Sequence, residues 1–85
     1  MGQIDRLAET RDGIIIAEYK TGALTKNGPA SAHIAQIALY REAMKQMRPD
    51  KRVSAMLVYT DGPHVLALDE DVLDRAAAKA VAAAA

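Results

Sequence analysis

The sequence predicts a small α/β fold, a mixed sheet flanked by helices in the order β-β-α-β-β-α. Three observations carry that reading. Two stretches that read as strands stand on either side of an Asp12-Gly13 dipeptide, the strongest short hairpin signal. Ile37, Tyr40, Met44 and Met47 then recur at helical spacing. Beyond Pro49, two further short apolar runs lead into a segment rich in alanine.

Taken in order, residues 2–10 and 14–21 read as the two strands of the hairpin. Gly22, Asn27, Gly28 and Pro29 break any regular element and make Thr21 to Ala30 a surface loop. Ser31 suits an N-cap for a helix from Ala32 to about Met47, which Arg48-Pro49-Asp50 ends because proline cannot continue the ladder. Val53 to Tyr59 is short and nearly all apolar, as in a central strand covered on both faces. Asp61-Gly62-Pro63 is a turn, and His64 to Leu68 reads as a shorter edge strand. Asp69, Glu70 and Asp71 supply the negative charge favoured at a helix start. Leu73, Ala76, Ala77, Ala80 and Val81 give the last helix a weak apolar stripe.

With 85 residues the chain has room for one domain, taken here as residues 1–85. Half of it is hydrophobic but without Phe or Trp, so the core must come from Ile, Leu, Val, Met and a few Tyr. Lys plus Arg equals Asp plus Glu at 11 each, which is not the basic signature of a free-standing nucleic-acid binder. Contact with DNA would rest on local charge placement or on a larger parent protein. The absence of cysteine excludes disulfides and thiolate zinc sites and leaves a reducing cytoplasm as the default. Charges at Asp5 and Arg6 argue against a signal peptide, and Asp74, Arg75 and Lys79 interrupt the alanine-rich end, so no membrane span is expected.

The chemistry concentrates in the hairpin. A two-residue turn at Asp12-Gly13 sets Leu7 opposite Glu18 and Asp5 opposite Lys20. Side chains alternate along a strand, so Asp5, Glu18 and Lys20 share one face. A four-residue turn puts Asp5 directly across from Glu18 on that same face, whereas a three-residue turn separates them. Two carboxylates and an ammonium together suit a hard divalent cation beside a phosphodiester. Leu7, Ile14 and Ile16 share this face, so it should pack on a helix and partly desolvate its acids. Ile15, Ala17 and Tyr19 on the other side suggest a hairpin covered on both faces. The plainer alternative is a cross-strand Asp5–Lys20 ion pair with Glu18 solvated, an ordinary surface.

Several ordered motifs point further. Gly2-Gln3-Ile4-Asp5-Arg6-Leu7-Ala8, Glu18-Tyr19-Lys20-Thr21, Gln36-Ile37-Ala38-Leu39-Tyr40-Arg41 and Tyr59-Thr60-Asp61-Gly62-Pro63 resemble the RecB-like branch of the PD-(D/E)XK nucleases. Within that branch they are similar to the C-terminal nuclease domain of the AddA helicase–nucleases. The resemblance implies a restriction-endonuclease-like core and hydrolysis of DNA, exonucleolytic and within double-strand-break repair. It assigns Asp5 and Glu18 to a divalent metal, magnesium with manganese as a substitute. The backbone carbonyl of Tyr19 would complete the metal shell, and Lys20 would assist the attacking water and the phosphate. Gln36 and Tyr40 would support the site or contact DNA.

The sequence also departs from the family's pattern. The family places a helix, often with a further His or Glu ligand, before the first of these strands, and Asp5 stands almost at the start of this chain. His33 and His64 lie in the wrong order to replace that ligand and read as surface residues. Glu18 stands where close relatives carry aspartate. The resemblance therefore implies the catalytic part of a larger helicase–nuclease, whose N-terminal helix, motor domain and second subunit would be its partners alongside DNA. A catalytically inactive scaffold of the same fold, or an unrelated interaction module, are the rival expectations.

Overall fold

The computed structural model of the chain describes residues 6–21, 26 and 28–84. These residues form β1 (Arg6–Glu9), β2 (Gly13–Lys20), α1 (Ser31–Met47), β3 (Arg52–Tyr59), β4 (His64–Ala67) and α2 (Glu70–Ala84). The α/β class and the element order are those expected. The strands make one mixed sheet in the order β1-β2-β3-β4, with β2 and β3 parallel and the two outer pairs antiparallel. Parallel neighbours cannot be joined by a tight turn, so α1 serves as the crossover between β2 and β3. No helix among the described residues is long and apolar enough to cross a membrane.

The core lies on one face of the sheet. Ile14 and Ile16 of β2 pair in register with Val53 and Ala55 of β3. Leu57 and Tyr59 extend the row, and Ile37 and Ala38 of α1 with Leu73 and Ala77 of α2 close over it. Both helices therefore cover the same side. The other face is only partly shielded, since Ile15, Met56 and Val58 are half-buried while Tyr19 and Val65 are exposed. This corrects the expectation that β3 and the hairpin are covered on both faces. An unbroken apolar run suggested two-sided burial, but β3 alternates buried Val53, Ala55, Leu57 and Tyr59 with less buried neighbours.

The hairpin turn also differs from expectation. Glu9 pairs with Ile14, Ala8 with Ile15, Leu7 with Ile16 and Arg6 with Ala17. Leu7 thus faces Ile16 rather than Glu18, and the turn centres on Arg11 and Asp12. The Thr10 N–H donates to the Gly13 carbonyl at 2.8 Å, and the Gly13 N–H donates to Thr10 Oγ1 at 3.1 Å. Threonine 10 closes the loop through its side chain, which favours this register over the one centred on Asp12-Gly13. Gly13 has a different duty, because a Cβ there would collide with the backbone oxygen of Arg52. Its smallness lets β2 begin alongside β3. Partners shift by two positions relative to the two-residue turn, so the facing of every side chain is preserved.

Helix α1 begins at Ser31, with Ala30 as the N-cap and no side-chain cap, so Ser31 is the first helical residue rather than the cap. Ile37 is buried as expected, but Met47 is 72% exposed where the helix leaves the sheet before Pro49. The buried stripe instead ends in Arg41, which is 4% exposed. Its Nε donates to the Val53 carbonyl at 2.8 Å, and its Nη1 donates to Asp74 Oδ1 at 2.7 Å. One guanidinium thereby ties α1 to β3 and α2. At the far end of α1, Arg48 makes two parallel bonds to the Glu9 carboxylate, at 3.0 and 2.9 Å, and fastens β1. That bidentate contact is the geometry for which guanidinium and carboxylate are matched. In α2, Leu73 and Ala77 are buried but Val81 is exposed, so the expected stripe is shorter by a turn.

Candidate active site

Strand β2 delivers Glu18 and Lys20, two residues apart and so on the same, helix-covered face. Across the parallel pair, Glu18 stands beside Leu57 and Lys20 beside Tyr59. Glu18 is 4% exposed, and Lys20 is half-buried. Lys20 Nζ lies 3.6 Å from Glu18 Oε1, an ion-pair distance too long for a good hydrogen bond. Glu18 Oε2 is buried and has no hydrogen-bond partner.

A carboxylate on an apolar, covered face loses the water that stabilises its charge. Lys20 restores part of it through one oxygen. The other oxygen is a buried, uncommitted hard donor of the kind that magnesium and manganese take. Glu18 thus fits the role of a cation ligand, and the alternative in which it is solvated does not hold. Asp5, expected as the second metal-binding acid, lies outside the described residues. Among the described residues no group of three or more His, Cys, Asp or Glu side chains converges.

The remaining anticipated residues fall as follows. Tyr19 lies between Glu18 and Lys20 with its ring on the exposed face, so only its backbone belongs with theirs. Gln36 and Tyr40 sit one turn apart on α1, the helix that covers the Glu18 face. Both are half-buried, and Tyr40 packs against the core cluster. Arg6 is exposed, as is every residue of β1, and it stands on the side opposite to Glu18.

Two further residues carry buried polar atoms that the sequence reading did not anticipate. His33 Nδ1 and the Tyr59 hydroxyl are both buried without a hydrogen-bond partner. His33 precedes Ile37 by one turn on the inward side of α1, which corrects its reading as a surface residue. His64 is exposed, as expected. For Tyr59 a signal existed: counting by twos from Val53 along β3 puts it on the face of the core.

Comparison with known proteins identifies relatives over most of the chain. The chain is 36% identical over 77 residues to an ATP-dependent helicase/nuclease subunit from Bacillus velezensis, a match covering 79% of this chain and 6% of that relative. It is 30% identical over 76 residues to an ATP-dependent helicase/nuclease subunit from Lactobacillus gasseri, covering 80% of this chain and 6% of that protein. The chain therefore spans about 6% of the length of the curated relatives it matches. No solved structure matches it. The sequence profile of the PD-(D/E)XK nuclease superfamily matches residues 1–85, its whole length. An acid and a lysine separated by one residue on a strand of a mixed sheet, in a chain matched from end to end by that profile, place the chain in a family: it belongs to the PD-(D/E)XK nuclease superfamily.

Proposed function

We propose that the chain is the partial catalytic domain of a magnesium-dependent deoxyribonuclease, acting as an exonuclease within a helicase–nuclease of double-strand-break repair. The observation that carries this reading is the Glu18 carboxylate, buried, paired with Lys20 through one oxygen and unpartnered at the other. Glu18 would hold the metal together with Asp5 and the Tyr19 carbonyl. The four-residue turn considered from sequence would set Asp5 across from Glu18, and the described strands, with Arg6 paired to Ala17, follow the pairing of such a turn. A bound divalent ion supplies an acidified water and neutralises charge on the phosphate under attack.

The chain's own residues do the rest. Lys20 presents an ammonium beside the carboxylate, in a setting where low water content strengthens its pull on an anionic phosphate. Glu18 would hold the metal in place beside that ammonium. Gln36 and Tyr40, on the helix above, support the site or meet the DNA. The net charge is zero, so DNA capture falls to the other parts of a larger assembly, including a motor domain and a partner subunit. Such an assembly works in the cytoplasm.

The test is cleavage of end-labelled single- and double-stranded DNA with magnesium or manganese. Wild-type turnover lost in Glu18→Gln and in Lys20→Ala supports the reading. Manganese binding by the wild-type chain with no cleavage of either substrate points to a non-catalytic scaffold of the same fold.

A further inference from the structure

We infer that Tyr59 is a positioning residue for Glu18, its hydroxyl donating a hydrogen bond to Oε2 when the carboxylate holds a cation. This rests on the metal-binding role proposed for Glu18. Glu18 pairs with Leu57, and Tyr59 lies two residues beyond Leu57 on the same face of β3. Strand spacing and rise set the two Cα atoms about 8 Å apart, within reach of two long side chains. Lys20, directly across from Tyr59, already reaches the other carboxylate oxygen at 3.6 Å.

The chemistry of the pair is complementary. Tyr59 is 6% exposed, and its hydroxyl is buried with no partner. Glu18 Oε2 is buried with no partner as well, and an ionised carboxylate can only accept. Buried polar groups left unpaired are rare in native proteins, and each calls for an explanation such as a functional role or a bound ion. Here an orphan donor and an orphan acceptor are diagonal neighbours on one face, and a bond between them would satisfy both. A carboxylate offers about four lone-pair sites, so a bond from Tyr59 leaves room on it for a cation. Carboxylates that bind metals are themselves held by hydrogen bonds of this kind. With Lys20 on one oxygen and Tyr59 on the other, Glu18 would be oriented from both neighbouring positions of the sheet.

Tyr59→Phe removes the hydroxyl and keeps the ring in the core. Manganese affinity of the full chain, read from the electron paramagnetic resonance signal of free manganese, should fall about 10- to 100-fold. The melting temperature without metal should stay level or rise, because an unpaired buried hydroxyl has gone. A purely structural tyrosine would lower that melting temperature and leave manganese affinity alone. Manganese affinity in Tyr59→Phe within twofold of wild type, with wild-type binding lost in Glu18→Gln, overturns the role of Tyr59 and spares the metal site. A wild-type chain that binds no manganese overturns both.

Discussion

Lys20 Nζ lies 3.6 Å from Glu18 Oε1, and the two side chains leave the same covered face of β2. In the metal-free chain the ammonium is therefore the counter-charge that keeps a buried carboxylate tolerable. Lys20→Met should lower stability by about 1–3 kcal/mol, the cost of stranding a buried acceptor. A divalent ion would then have no lysine to compete with. The rise in melting temperature on adding manganese should be larger in the variant than in wild type, while DNA cleavage falls by about 100-fold or more. Equal metal-free stability and equal manganese protection in the two proteins would contradict this account.

The turn makes a separate prediction. Gly13 stands where β2 starts beside β3, and a Cβ on it would meet the Arg52 backbone oxygen. Backbone cannot step aside as a flexible side chain can. Gly13→Ala should cost about 1–3 kcal/mol in urea denaturation, the range for overpacked sites. Asp12→Ala, at the exposed turn centre, should stay within about 0.5 kcal/mol of wild type. Similar losses for both would mean that the dipeptide acts as a turn signal after all.

These two cases show what sequence does and does not disclose here. The element order was legible because Gly28, Pro29, Pro49 and Gly62 punctuate the chain and Ile14-Ile15-Ile16 and Val53–Tyr59 could only be strands. The faces of Glu18 and Lys20 were legible too, since parity along a strand survives an error of two in register. The turn centre was not, because Asp-Gly carries a strong local preference that the Thr10 side chain and the crowding at Arg52 override. One-sided burial of β3 was hidden by Met56 and Val58, which are apolar yet only half-buried. Arg41 was hidden for the opposite reason. A guanidinium reads as surface until the Val53 carbonyl and Asp74 appear around it. Tyr59 showed its face by parity, but an unpartnered hydroxyl can be seen only in three dimensions.

Arg41 is buried, whereas the Asp74 side chain that it meets is 54% exposed. The two halves of this pair should therefore differ in what their loss costs. Arg41→Met leaves the Val53 carbonyl without its side-chain donor inside the fold and should destabilise by about 2–3 kcal/mol. Asp74→Asn leaves Arg41 bound to Val53 and near Glu70, at 3.6 Å, and should cost less than about 1 kcal/mol. Urea melts of both variants measure the asymmetry. Equal costs would mean that the ion pair, rather than the bond to the backbone, is what the fold uses.

Acid should loosen the same scaffold from its edges. Arg48, by hydrogen bond and charge, holds the Glu9 carboxyl below its usual range. Arg52 does so for Glu70, and Arg41 for Asp74. A carboxyl with a lowered folded-state pKa binds protons more readily when the chain is unfolded. Its contribution is thus complete above the unfolded value and is lost as pH falls through the folded one. Stability measured by urea melts should be level from neutral pH down to about 5 and decline below about 4. Glu9→Gln should remove part of that decline, since it deletes one of the linked groups and with it the clamp from α1 to β1. Moderate salt should shrink the same component, because the three carboxylates are open to solvent. A wild-type profile flat to pH 3 would show that these ion pairs contribute nothing measurable to holding the sheet against its helices.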